Sequence, residues 1–405
     1  MQRISLDDAI ARAIACATRL PAERVPLVRL RGRVLAEELC FQDDLPRFDH
    51  AAMDGYAIAG GAPSGAGFEV VGESRAGAPA RHVDARAATV ISTGAALPAG
   101  LDTVVPWEDV AKRGPEGREI IALRRDAEVG QYVRRRGDDA RAGSTALERG
   151  TLLSARHVAL LATLEHSGAL VSRRARVAIL CTGDELRDPG SEVREGSIVD
   201  SNGPMLSALV GQGGGSSSCE RVPDAREAVH AAIERACHEA DVVITVGGAA
   251  DGKHDHVLPA LEALGARSIF RGVAIKPGKP VALATRALAG RVVPVLALPG
   301  NPGSAFVTFT LLGLPLLRAL HGERAPARPR PLVRAASPLR SAGDRDVLAY
   351  GALEVHDGAP LFVPAPAATS GSVPGLASAA ALALVRAGAP VAGGGLVEVV
   401  DVERA

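Results

Sequence analysis

The chain has 405 residues, 46 basic and 46 acidic, and is 47% hydrophobic but only 3% aromatic. Such a length calls for several domains of ~100–150 residues with cores built mainly on Ala, Val and Leu. The balanced charge leaves no global field to recruit nucleic acid or a membrane, so neither partner is expected and any anion site must be local. Five cysteines, odd in number and without a C-x-x-C, argue against a zinc knuckle or a disulfide framework.

The N-terminal "MQRISLDDAIARA" carries two acids where a secretory signal needs an apolar run. It predicts a helix capped by Ser5 with Asp8 at the third position, and an apolar stripe of Leu6, Ala9, Ile10, Ala13, Ile14 and Ala17. Residues 42–62 are turn-rich around "DLPRFDHAAMDGYAI". From 66 to 135 the runs "FEVVG", "ATVIS", "DTVVPW" and "EIIAL" predict a small β domain. "SARHVALLATLEHSG" predicts a helix capped by Ser154 and stopped by Gly168. "RVAIL", "DVVITV" and "VPVLAL" are nearly all apolar, as strands of a parallel sheet buried on both faces must be. Over 224–240, Asp224 as cap, Glu227 at the third position, and Val229, Ala232, Ile233, Ala236 and Ala240 predict a helix. Strands alternating with helices make 173–322 an open, mostly parallel α/β domain. "ERAPARPRP" reads as a stiff linker, and the β-like runs after 332 predict a second small β domain. The longest charge-free apolar run, "SAFVTFTLLGLPLL", is shorter than the ~20 residues of a membrane span, and a cytoplasmic protein is expected.

The chemistry collects at strand ends. Each apolar strand leads into a polar, Gly-bearing loop: "CTGDEL" with Thr182, Gly183, Asp184 and Glu185; "GGAADGKHD" with Gly247, Gly248 and Asp255; "LPGNP" with Pro299, Gly300, Asn301 and Pro302. Ligands of open α/β sheets bind outside the carboxyl ends of the strands, and Ser304 in the following helix start would complete an anion seat. One such loop is ordinarily a turn; three in succession, carrying acids, argue for one site. The only asparagines, Asn202 in "DSNGPM" beside Asp200 and Ser201, and Asn301, fall in these loops, although each could equally serve as a turn or cap residue.

Only four of the 46 basic residues are lysine, and two of these, Lys276 and Lys279, share "IKPGKP". An ammonium is a compact charge with rotatable donors, suited to a small tetrahedral oxyanion, and Pro and Gly stiffen the loop around it. Two solvated surface lysines are the bland alternative. Asp54, Asp139, Asp184, Glu185, Asp200 and Asp255 lie in Gly-bearing segments and, with a phosphate, could hold Mg²⁺; a Gly-Asp loop is also a common Asx turn. "VRRRGDD" offers arginines for phosphate and two acids, and alone reads as a solvated charged loop. His254 and His256 form a lone H-x-H, more often surface than ligand.

As an ordered set, "PRFDHAAMDGYA", "STGAALPAGLDTVV", "RRRGDDARAG", "CTGDEL", "DSN", "VITVGG", "IKPGKP" and "LPGNP" resemble the molybdopterin molybdenumtransferase family, the MoeA type that includes the gephyrin E domain. The resemblance spans essentially the full length. It implies insertion of molybdate into the dithiolene of adenylylated molybdopterin with release of AMP, dependent on Mg²⁺. It also implies four subdomains: a helical and extended linker part (1–45 with 136–172), a β-rich part (46–135), an α/β molybdopterin-binding domain (173–325) and a C-terminal β domain (326–405). An elongated homodimer with a cleft shared between subunits is implied too, with the molybdopterin adenylyltransferase and molybdoenzymes as protein partners. By motif, Asp54, Thr93, Asp139, Glu185, Asp224 and Asp255 match functional acids and a hydroxyl of the family, Glu185 and Asp255 as metal ligands. Lys276, Lys279, Pro299, Pro302 and Ser372 match its molybdate-side pocket. The chain departs from the family at Ala51, where Ser is usual, at Ala249 to Gly252, where the family writes V-S-x-G, and at Tyr350, where Arg is usual. These departures leave a second reading open, a non-catalytic paralogue that binds pterin or a partner protein as a scaffold.

Overall fold

The computed structural model describes residues 3–115, 117–248, 255–366 and 370–402. The chain divides into two compact units, residues 38–148 and residues 1–37 with 149–405.

In the larger unit, helix α1 (Leu6–Ala15) starts where predicted: Ser5 Oγ accepts the Asp8 amide at 3.1 Å, and Leu6, Ala9 and Ala13 are buried. The central sheet comprises β1 (Arg176–Thr182), β2 (Ser216–Val222), β3 (Val242–Val246), β4 (Arg267–Arg271), β5 (Ala282–Leu288) and β6 (Arg291–Leu298), in spatial order 2-1-3-6-5-4. β2, β1, β3 and β6 run parallel, and β5 is antiparallel to both its neighbours. Successive side chains point to opposite faces. Val177, Ile179 and Ile244 therefore pack with Leu206, Leu209 and Phe309 on one side. Ala178, Leu180 and Val243 pack with Val229, Ile233 and Leu261 on the other. Helix α2 (Asn202–Gln212) covers the first face, and α3 (Arg226–Glu239) with α4 (Val257–Ala263) covers the second. The chain passes from β1 out to β2 and then returns to β3 on the opposite side of β1. The strand order reverses between β1 and β3, which is where such a sheet opens a ligand crevice.

Two helix ends differ from expectation. The cap of α3 is Ala225, not Asp224, whose amide donates instead to Asp184 Oδ1 at 3.2 Å. The helix after Ser154 (Ala155–Thr163) has its capping box, completed by His157, but stops before Gly168. Glu165 takes the left-handed turn at φ 62°, and Gly168 opens a strand paired with Ala22–Pro26. The apolar run after "LPGNP" continues further than its sequence implied, as a helical segment Pro302–Leu320 with a π turn at Phe309–Gly313. It is long and apolar enough to span a membrane by composition, but 89% of its most apolar stretch is buried inside the protein, as in a core helix.

The C-terminal strands Leu332–Ala335, Asp346–His356, Ala359–Pro364, Ala381–Val385 and Leu396–Asp401 close into a small barrel through the pairing of Asp346–His356 with Ala381–Val385. Ile275–Lys276 joins it alongside Asp346–Val347, so the lysine-bearing crossing is held by this barrel.

The smaller unit carries a six-stranded sheet, in order Thr103–Pro106, Gly55–Ile58, Ala87–Ile91, Gly67–Ser74, Ile120–Leu123 and Val110–Arg113. Its two faces bury Ala57, Ile91 and Val104 on one side and Tyr56, Ile58 and Ile121 on the other.

Candidate active site

A cavity of about 480 Å³ opens at the carboxyl ends of β1, β3 and β6. Thr182 closes β1, Gly247 and Gly248 follow β3, and Pro299, Gly300, Asn301 and Pro302 follow β6; all line the cavity. Asp200, Ser201 and Asn202 enter from the loop that starts α2. Gly247 sits at φ 89°, and a Cβ there would lie 2.8 Å from Thr182 Oγ1, so only glycine lets the two strand-end loops meet. Asn202 Nδ2 donates to the Gly300 carbonyl at 2.7 Å, while its Oδ1 is buried without a partner among the described residues. Asp200 Oδ1 accepts the Gly203 amide at 2.9 Å, fixing the first turn of α2.

Glu185, Asp224 and Asp255 supply carboxylates to the same lining. Burial, reinforced by the charges of Glu185 and Asp184, pushes the Asp224 carboxyl above the usual carboxylate range. Carboxylate oxygens are the hard donors that Mg²⁺ takes, so the chemistry of these three acids suits it, but among the described residues they do not meet as one ligand cluster. Asp224 contributes here because it is not consumed as a helix cap. Asp184 is exposed, outside the lining, and holds the Asp224 amide; Gly183 is buried at the end of β1.

Ser304 is buried in the first turn of its helix and does not line the cavity. Ser372 caps a short helix, its Oγ accepting the Gly375 amide at 3.2 Å. Lys276 and Lys279 are exposed and stand outside the lining, but Pro280, next to Lys279, is part of it. Gly278, at φ 110°, packs its loop so closely on the helix that follows Asn301 that a Cβ would lie 2.4 Å from Thr308 Cγ2. The lysine loop is thus anchored on the helix whose start forms the cavity.

In the smaller unit, Asp54 Oδ1 accepts the Thr93 amide at 2.7 Å, bringing together two residues 39 positions apart. Asp139 is ion-paired with Arg134. Arg135 pairs with Asp49 and Arg136 with Asp44, each at 2.8 Å, so every arginine of "VRRRGDD" has a carboxylate inside its own unit. The Arg136 amide and the Arg135 guanidinium hold the Asp49 carboxyl below its ordinary range.

Sequence reasoning missed Leu186, Ile198, Val199 and Pro280, which give the cavity an apolar wall. The β-branched pair directly before Asp200 was the available signal. Of the departures from the family pattern, Ala51 is fully buried in the smaller unit's core. Ala249 to Gly252, like His254, lie outside the described residues. The Tyr350 hydroxyl is buried without a partner among the described residues, and burial pushes it up to about 12. It abuts the helix start, since a Cβ on Gly303 would lie 2.5 Å from Tyr350 Oη.

Together the fold and cavity define an α/β ligand-binding protein with an acid-rich crevice at its switch point. Residues 4–164 match the MoeA N-terminal region (domain I and II), and residues 178–319 match a probable molybdopterin binding domain. The chain is 36% identical to a molybdopterin molybdenumtransferase of Nostoc, over 90% of its own length and 85% of that protein. It is 31% identical to molybdopterin molybdenumtransferase 1 of Mycobacterium tuberculosis over 98% of both chains. Among solved structures, the molybdopterin biosynthesis MoeA protein of Pyrococcus horikoshii superposes with a TM-score of 0.78 at 29% identity, covering 99% of each chain. The chain belongs to the molybdopterin molybdenumtransferase family, a family of transferases of molybdenum cofactor biosynthesis. These relatives do not favour the scaffold reading.

Proposed function

We propose that the protein inserts molybdate into adenylylated molybdopterin and releases AMP. The observation that carries this reading is the placement of Glu185, Asp224 and Asp255 in the lining of one cavity with Asn202, whose buried Oδ1 has no partner among the described residues. An orphaned buried acceptor costs free energy unless a ligand donor meets it. Leu186, Ile198 and Val199 offer an apolar wall to a flat ring, while Asp200, Ser201, Asn202 and the loop from Pro299 to Pro302 provide its polar partners.

Glu185, Asp224 and Asp255 would hold Mg²⁺, which when bound neutralises phosphate charge as AMP departs. Lys276 and Lys279, exposed on the loop that leads into Pro280 of the lining, would seat the molybdate dianion. Asp54, Thr93 and Asp139 are assigned as functional residues of the smaller unit by their motifs. The protein would act in the cytoplasm as a homodimer, receiving its substrate from the molybdopterin adenylyltransferase and passing its product to molybdoenzymes.

The test mixes purified protein with adenylylated molybdopterin, Mg²⁺ and molybdate and follows AMP. Release that requires both inorganic ions supports the reading; no release beyond a protein-free control sinks it.

A further inference from the structure

Cys181, Asp200 and Cys219 form a cluster that the reaction above does not use as a unit. One donor atom from each, two sulfurs and a carboxylate oxygen, lies within 4.8 Å of both others. The sheet register explains the meeting of the thiols. β1 and β2 are parallel neighbours in which Ile179 faces Cys219 and Cys181 faces Arg221. Cys181 and Cys219 are therefore diagonal neighbours on one face of the sheet, a spacing at which side chains touch. Both are free thiols.

Asp200 arrives from the other side, at the entrance to α2, and is almost fully buried, as is Cys181. The third element is Gly203. A Cβ there would lie 2.6 Å from Cys219 Sγ and 2.7 Å from Asp200 Oδ2. The absence of that one methyl keeps the space between sulfur and carboxylate open. Cys181 and Asp200 also line the 480 Å³ cavity, so the cluster has access to solvent and solutes on that side.

We propose that Cys181, Cys219 and Asp200 form a binding site for one thiophilic divalent cation of the zinc class, with a fourth position open to the cavity. Two thiolates and one carboxylate in a compact group suit a tetrahedral, borderline-soft ion, whereas Mg²⁺ takes oxygen donors only. The site is thereby chemically separate from the acids Glu185, Asp224 and Asp255, and its existence does not depend on the reaction proposed above.

The probe is Co²⁺, added to the reduced, metal-stripped full-length protein. A thiolate-to-cobalt charge-transfer band should appear, saturate at one ion per chain and be displaced by Zn²⁺. Cys219 is exposed on an edge strand, so Cys219→Ser should keep the parent's melting curve while losing at least about half of the band's intensity and weakening Co²⁺ binding more than about tenfold. Gly203→Ala keeps all three donors but fills the space between them, and should weaken Co²⁺ binding by more than about tenfold. The proposal is overturned if the parent protein shows no charge-transfer band. It is also overturned if Cys219→Ser keeps the parent's band intensity and Co²⁺ affinity, or if Gly203→Ala binds as tightly as the parent, because the ion would then sit elsewhere.

Discussion

Asn202 donates its side-chain Nδ2 to the Gly300 carbonyl at 2.7 Å, joining the loop before α2 to the loop after β6. These are the loops that carry the only two asparagines in the chain. One half of the amide is used in this tie and the other, Oδ1, is buried without a partner among the described residues. Asn202→Ala should cost about 1 kcal/mol of stability at most, because the exposed Gly300 can turn its carbonyl to water once the hydrogen bond is lost, and it should weaken substrate binding as well. Urea denaturation and an equilibrium titration with adenylylated molybdopterin check the two effects separately.

His321 makes acid stability predictable. Its Nε2 accepts the Ala175 amide at 3.1 Å, so the bound form is neutral at that nitrogen. Burial first, then the charges of Arg33, Arg174 and Arg173, lower it to about 4 against an ordinary value of 6.5, with Asp241 opposing. The unfolded imidazole takes a proton below about 6.5 while the folded one does not until about 4. The contribution is therefore whole above the unfolded value and is lost as pH falls towards 4, by about 3 kcal/mol at most. His321→Gln, which retains an acceptor but cannot titrate, should flatten the fall in melting temperature between pH 6.5 and 4. An unchanged slope would show that other groups govern it.

Much of this site was legible because open α/β sheets confine ligands to one edge. Three buried apolar runs, each followed by a Gly-bearing loop, were enough to bring Thr182, Gly247 and Asn301 together. The helix signals were less complete. Asp224 has the composition of a cap, yet a tertiary partner, Asp184, takes its amide and the cap passes to Ala225. Gly168 looked like a helix stop and is a strand start, since the pairing with Ala22–Pro26 is a contact no local window contains. The diagonal meeting of Cys181 with Cys219 and the pairing of Ile275–Lys276 with the C-terminal barrel depend in the same way on register. Nothing in local spacing marks either.

The lysine loop gives a graded prediction. A charge-assisted hydrogen bond is worth ~1.5–3 kcal/mol net, or roughly tenfold or more in affinity. Lys279→Ala should raise the molybdate concentration needed for half-maximal AMP release at least about tenfold. Changing both Lys276 and Lys279 should abolish saturation. Lys279→Arg should restore only part, because a planar fork in a loop packed by Gly278 against Thr308 cannot reproduce a point charge. Equal half-saturation across the variants would make both lysines ordinary surface residues.

Tyr350 carries a buried hydroxyl with no partner among the described residues, so its loss removes an unsatisfied group and none of the hydrogen bonds described. Tyr350→Phe should leave stability unchanged or raise it by about 1 kcal/mol. A fall in melting temperature would reveal a partner, such as an ordered water, that the hydroxyl serves.

Asp255 is the acid of the proposed site that follows β3, lining the same cavity as Glu185 and Asp224. The direct measurement is single-turnover AMP release from adenylylated molybdopterin, with and without molybdate and Mg²⁺, by the parent protein and by Asp255→Asn at matched melting temperature. The account predicts molybdate- and Mg²⁺-dependent release by the parent, and a loss of at least about a hundredfold in the variant, the order expected when a metal-assisted step loses a ligand. Equal release by the two proteins would contradict it.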